Sequence, residues 1–208
     1  MKPVLLALTA ATLGFAVEPC QMLVASQALG DPSFSKTVVL LVDVNRTGSM
    51  GLVINRQLRN TPVSRVFATA RGAQPISDPI HYGGPVERGG MLALLRDAKV
   101  KAACGGIALV NDAKQLDRIL DRYPGPAALR IYAGYTGWAK GQLEHEIELG
   151  GWRVLPFDEQ LVYDAKPAAL WERLNASTET QLASADTLNE PVLLRLRIPN
   201  HFLVVAQR

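Results

Sequence analysis

Apolar residues fall in short runs separated by turn residues along most of this chain, and the runs carry two different periods. "MLVAS" at 22–26 and "VVLLV" at 38–42 are unbroken apolar stretches, the pattern of strands covered on both faces. Between them Gly30, Asp31 and Pro32 predict a turn that delivers Phe34 back toward the core. "NRTGSMG" predicts a hairpin-like turn, with "GLVINR" returning as the partner strand. In "NTPVSRVFA", Thr61 reads as an N-cap, Pro62 as the first helical residue, and Val63, Val66 and Phe67 as one buried face of a short helix. "PIHYGGPV", "GMLALLR" and "GGIALV" read as strands. "NDAKQLDRILDRY" switches to the helical period, with Asp112 and Gln115 at capping-box spacing and Leu116, Ile119, Leu120 and Tyr123 on one face.

"AALRIYA" predicts a strand that stops at the glycines of "GYTGWAKGQLEHEI" and restarts as a helix near Trp138, with Ala139, Leu143 and Ile147 as its buried stripe. "WRVLPF" follows as a strand. "DAKPAALWERLNAS" predicts a helix that opens after Asp164 with Pro167 in its first turn, and "VLLRLRI" and "FLVVA" predict two closing strands. Strands and helices alternate without a strict βαβ rhythm, which predicts an α+β fold with a mixed or mostly antiparallel sheet.

Length changes the picture first: 208 residues at 48% hydrophobic content suffice for one good core and are short for two. The opening "MKPVLLALTAATLGFAV" has one lysine, no acid and an apolar run of secretory length, so residues 1–16 are expected to be a signal peptide cleaved before Val17. A cut after Ser26 also satisfies the small-residue rule but would remove the first predicted strand. The expected product is a single exported domain over 17–208, with a strand extension from about residue 190 and no membrane span beyond the leader; a cytoplasmic chain with a buried N-terminal helix is the alternative. Cys20 and Cys104 are the only cysteines. An oxidising compartment permits a bridge, but one pair is no framework, and they read as separate thiols with Cys104 buried. A net charge of +3 is too weak to argue for a polyanion. Arg56, Arg59, Arg65 and Arg71 concentrate charge with only Phe67 among them, the pattern of a solvated rim rather than a nucleic-acid surface.

Candidate chemistry centres on the strand-to-helix turn. Gly134 and Gly137 flank Tyr135 and Thr136, but the segment lacks the Lys-Ser/Thr of a phosphate loop, the spacing of a dinucleotide fingerprint and the Gly-x-Ser-x-Gly of a nucleophile elbow. Packing explains these residues more simply, and the acids Glu144, Glu146 and Glu148 read as a solvated surface. A hydrolase or transferase would use Thr136 at the helix start with His81 or His145 as base. His145 has no second histidine four residues away, so no metal site is expected, and no cofactor motif is present. Gly83, Gly84, Gly89 and Gly90 surround Pro85, Glu87 and Arg88. They read either as a cleft lining or, preferably, as a tight turn with positive φ at its glycines.

Taken together, "GDPSFSKTVVLLVDVNRTGSMGLVINR", "YGGPV" and "GYTGWAKGQLEHEI" resemble the YqgE/AlgH family of bacterial proteins over roughly residues 21–175. The resemblance implies an α+β fold with a bent, partly barrel-like sheet surrounded by helices, and it implies no agreed enzymatic activity. Some members are labelled transcriptional regulators. Three positions depart from the family pattern: Val44 and Leu95 stand where histidines are common, and Gln57 where proline is usual. The resulting expectation is a non-enzymatic binding or interaction protein of unknown partner. Its cleft would be bounded by Asn55, Arg56, Tyr82, Gly83, Gly84, Trp138 and Gln142.

Overall fold

A computed structural model describes residues 16–96 and 104–176. In chain order the elements are β1 (Met22–Ala25), β2 (Val38–Asn45), β3 (Gly48–Val53), β4 (Gln57–Pro62), α1 (Val63–Val66), β5 (Pro79–Tyr82), β6 (Val86–Arg96), β7 (Ile107–Val110), α2 (Ala113–Leu120), β8 (Leu129–Ala139), α3 (Gln142–Glu148), β9 (Trp152–Leu155) and α4 (Glu159–Val162). Short 3-10 turns occur at Pro32–Phe34, Arg71–Ala73 and Pro167–Ala169. Internal contacts divide the chain into two units, residues 1–171 and 172–208; in the second, the described residues 172–176 are helical. The expected leader up to residue 15 and both closing strands lie outside the described residues.

The fold is α+β, and its mixed sheet is curled into a half-barrel. The main path runs β4-β5-β8-β3-β2-β1-β9, with β6 on β8 and β7 on β6. Among the described residues only the β5–β8 pair is parallel, His81 lying beside Tyr132. The curl follows from one distance. Between β1 and β7 stand β2, β3, β8 and β6, so a flat sheet would hold them roughly 24 Å apart at about 4.8 Å per strand. Yet Cys20, just before β1, and Cys104, just before β7, are joined by a disulfide with their Cα atoms 5.2 Å apart. The expectation of two separate thiols is thereby corrected: the sheet's curvature brings together residues 84 apart in sequence.

Two apolar clusters flank the sheet. One packs α2 and the α1 region onto Leu129, Ile131 and Ala133 of β8, with Leu116 and Leu120 as its helical contribution. Asp112 caps α2 as expected, its Oδ1 accepting from the Gln115 N–H at 2.7 Å. The other joins Leu23, Val39, Leu41 and Val53 to Trp138, Leu143 and Trp152, with Phe34 and Ile147 at its margin. Val44 and Leu95, the positions without family histidines, pack at the edge of the second cluster and inside the first.

Several local expectations need correction. β8 does not stop at Gly134 but runs unbroken to Ala139, so Thr136 and Trp138 are strand residues and the helix begins only at Gln142, after Gly141 at φ 78°. Leu143 is buried and Ile147 half-buried as expected, while Ala139 is an exposed strand residue. Thr61 makes no cap: it ends β4 with Pro62, and Pro62 is itself the N-cap of α1. In the glycine block the expected positive φ occurs at Gly84, at 157°, but not at Gly89 or Gly90, and Glu87 is left-handed at φ 46°. β4 and α4 are elements the hydrophobic pattern does not reveal.

Candidate functional site

The residues of the expected cleft are each engaged within the protein. Asn55, buried at the end of the β3 segment, accepts from the Val38 N–H at 2.8 Å and donates from Nδ2 to the Lys36 carbonyl at 2.9 Å. Its amide therefore pins the turn before β2 to the strand beside it. Arg56 reaches the same turn from outside, donating to the Ser33 and Ser35 carbonyls at 2.7 Å each. The Tyr82 ring lies between two guanidinium groups, Arg56 at 5.8 Å and Arg88 at 5.9 Å. Gly83 stitches three strands, giving its N–H to Ala133 and its carbonyl to the Val53 N–H. A Cβ at either Gly83 or Gly84 would run into the β8 backbone, so both glycines serve close approach.

Trp138 and Gln142 belong to a carboxylate-centred lock. Glu146 Oε2 accepts from the indole N–H of Trp138 at 3.0 Å and of Trp152 at 2.7 Å, while Oε1 accepts from Gln142 Nε2 at 2.9 Å. Gln142 Oε1 in turn accepts from the Ala139 N–H. Phe34 stacks on Trp138 at 5.9 Å and meets Trp152 edge-on at 5.4 Å. Glu146 is thus not the solvated acid its helix face suggested.

The expected catalytic partners do not meet. Thr136 is fully buried in mid-strand opposite Gly51, and its hydroxyl has no hydrogen-bond partner. His81 pairs with Tyr132, roughly 13 Å back along β8 at about 3.3 Å per residue. His145 is an exposed side chain on α3, 3.9 Å from Glu148. No helix start adjoins Thr136, which removes the oxyanion geometry the enzymatic alternative required.

A cleft of ligand size lies elsewhere, where β6 leaves β8. Val86 pairs with Tyr135 and Met91 with Ala133, so residues 87–90 bulge out over Gly134. The bulge borders a groove of about 580 Å³. Met50, Phe67, Met91, Leu116 and Tyr135 line it, with Glu87 and Asn111 as polar members. Glu87 holds its left-handed backbone at this rim, the kind of strain that concentrates at binding surfaces. The glycine pair, between Glu87–Arg88 and the apolar run that starts at Met91, was the sequence signal of the bulge.

A second polar group gathers around β5 and the start of β8. His81 is buried and its ring nitrogens make no hydrogen bond of good geometry; burial and, after it, the nearby Arg130 cation pull its pKa down to about 3, a weaker contact with the Ile131 backbone opposing them. Arg130 is 6% exposed, and Tyr132 is fully buried. Burial pushes the Tyr132 and Tyr163 phenols up. Among the described residues no group of three or more metal-ligating side chains occurs.

Comparison with known proteins assigns the family. An AlgH-like family model matches residues 22–183. A UPF0301 protein of Streptomyces avermitilis is 35% identical over 179 residues, covering 80% of this chain and 90% of the relative. A UPF0301 protein of Anaeromyxobacter dehalogenans is 33% identical over 162 residues, covering 72% and 82%. The solution structure of AlgH from Pseudomonas aeruginosa superposes with a TM-score of 0.59 at 28% identity over 87% of this chain and 94% of that one. A crystal structure from Corynebacterium diphtheriae, at 23% identity, a TM-score of 0.63 and coverage of 77% and 86%, shares the fold. On the residues matched and the lengths covered, the chain belongs to the AlgH-like family of bacterial UPF0301 proteins.

Proposed function

We propose that this protein is a binding protein without catalytic turnover that works outside the cytoplasm and receives an apolar ligand or partner side chain in the groove beside the β6 bulge. The observation that carries the reading is the Cys20–Cys104 disulfide, since such bridges persist in oxidising compartments and are rare where thiols are kept reduced. It agrees with the apolar leader. It also favours the cut before Val17: a cut after Ser26 would discard Cys20 and β1, a fully buried strand held between β2 and β9. Val17 packs in the core beside Trp152, so the earlier cut leaves the fold whole. The groove's volume falls within the range of roughly 300–1,000 Å³ typical of small-molecule sites. Its two methionines suit an adaptable apolar contact. The Thr136 hydroxyl is fully buried in mid-strand, out of reach of a substrate, which supports the reading without turnover there. The experiment is N-terminal sequencing of the protein from its own cells, with free thiols alkylated at lysis. A chain that begins near Val17 and carries no alkylated cysteine is the expected result; Met1 retained with both thiols alkylated overturns the proposal.

A further inference from the structure

Strand alternation separates the two faces of β8. Leu129, Ile131 and Ala133 all join the cluster under α2, so Arg130 and Tyr132 turn to the opposite face. Opposite Arg130 in β6 stands Leu94, itself fully buried. A guanidinium is charged at every physiological pH and carries five N–H donors. Arg130 uses Nη2 to donate to the Asp164 carbonyl, while Nε and Nη1 find no acceptor. Around it the buried His81 ring nitrogens and the Tyr132 and Tyr163 hydroxyls likewise make no hydrogen bond of good geometry. Native proteins rarely bury one polar atom without a partner, and here several unbonded polar atoms surround a single uncompensated cation.

The cluster adjoins a small cavity. Its polar lining is Arg130, His81, Gln57, Asp78 and Tyr123, its apolar lining includes Val63, Leu129 and Ile131 of the cluster under α2, and its volume is about 50 Å³. That is room for a few waters or one small oxyanion. The one acidic side chain in the lining, Asp78, already accepts a hydrogen bond from the Tyr123 hydroxyl at 2.8 Å. The lining thus pairs one anion with one cation, and the donors left unmet at the cavity are those of the Arg130 guanidinium. Arg96, the other cation on the Tyr163 ring, is neutralised by Glu159. Gln57 and His81 face each other across β4 and β5, which adds a polar amide to the lining.

We propose that Arg130 and His81 form a buried binding site for a small anion of carboxylate size in this cavity, separate from the groove. Planar carboxylate oxygens match guanidinium N–H geometry, and Arg130 Nε and Nη1 are the donors without an acceptor. A phosphate fits less well, being tetrahedral and bulkier than the cavity suits.

Thermal unfolding of the full chain tests this, in sodium acetate, sodium phosphate and sodium chloride at matched ionic strength. Acetate at about a hundred times its Kd should raise the wild-type Tm by roughly 5 °C over chloride, with phosphate raising it less. Arg130→Met should lose the acetate increment while its Tm in chloride stays equal or rises, because an apolar chain of similar length replaces an unmet buried charge. No acetate increment in the wild type, or the same increment in Arg130→Met, overturns the proposal. Should Arg130→Met fail to fold, wild-type crystals soaked in bromide decide. An anomalous peak within hydrogen-bond range of the Arg130 guanidinium supports the site, and a cavity holding only water overturns it.

Discussion

His81 places an imidazole where neither nitrogen makes a hydrogen bond of good geometry, beside a permanent cation. Its pKa is about 3 in the folded chain against 6.5 when exposed. Below pH 6.5 the unfolded chain therefore takes up a proton that the folded chain refuses, so stability rises with pH across this window. The contribution is complete above pH 6.5 and is lost progressively as pH falls toward 3. Between pH 7 and pH 5 the expected loss is about 2 kcal/mol, at roughly 1.4 kcal/mol per pH unit once well below 6.5. Urea unfolding in carboxylate-free buffers should show this fall in the wild type and a nearly flat profile over pH 5–7 in His81→Gln. Equal slopes in both would show that His81 is protonated in the folded chain. The residue's type was visible in "PIHYGG", but its isolation was not, because Arg130 and Tyr132 reach it only through the parallel β5–β8 pairing. Glu146 teaches the same lesson in reverse: its helix face reads as wet, yet Trp138 and Trp152 arrive from two strands to share one carboxylate oxygen.

At the scale of elements, glycine in "GYTGWAKG" separates into three roles that spacing alone cannot distinguish. Gly134 has φ 70° under the β6 bulge, where a Cβ would stand 2.6 Å from the Val86 carbonyl oxygen and 2.8 Å from that of Gly84. Gly141 has φ 78° but open space around it. Gly137 is extended, with its nearest neighbour, Tyr135 Cε2, at an ordinary 3.6 Å. Alanine should accordingly cost about 3 kcal/mol or more at Gly134, from left-handed backbone and overpacking together, and about 1–2 kcal/mol at Gly141. At Gly137 it should change stability by no more than about 0.5 kcal/mol. Urea midpoints of the three variants check the order, and a costly Gly137→Ala would show that β8 is not continuous there. The apolar strands β1, β2, β3, β6 and β7 and the capped helix α2 were legible because burial and period agree in each. β4 was not, since "QLRNTP" holds one large aliphatic residue and is a strand only through its pairing with β5. α4 is four residues long, too short to display a helical period, although Asp158 caps it by accepting from the Gln160 N–H at 2.8 Å. The groove was partly legible: Glu87, Gly89 and Gly90 line it, as the cleft reading of that glycine block allowed, whereas Phe67, Met91 and Leu116 read locally as core and Met50 and Tyr135 as turn residues.

At the scale of the molecule, the half-barrel is held in two ways that act on different states. Hydrogen-bonded ladders and apolar clusters stabilise the folded sheet, whereas the Cys20–Cys104 bridge chiefly restricts the unfolded chain. The bridge spans 84 residues and encloses β1 through β6, so the loop closed in the denatured ensemble is long. Chain entropy for a loop of that size corresponds to about 4–5 kcal/mol, a large share of the roughly 5–15 kcal/mol that holds an average domain together. Among the described residues β7 bonds to no strand but β6, so the covalent tie to the far end of the sheet also opposes fraying of that edge. Reduction, or serine at both cysteines, should therefore lower the urea midpoint by an amount equivalent to about 4 kcal/mol. Hydrogen exchange should rise first in Ile107–Val110 rather than in the central strand β8. The same comparison bears on compartment, because a chain whose stability leans this heavily on one bridge would be marginal in a reducing cytoplasm. If oxidised and reduced chains unfold at the same urea concentration and β7 exchanges equally in both, the ladders alone close the half-barrel. The thermodynamic reason for placing this protein outside the cytoplasm then disappears.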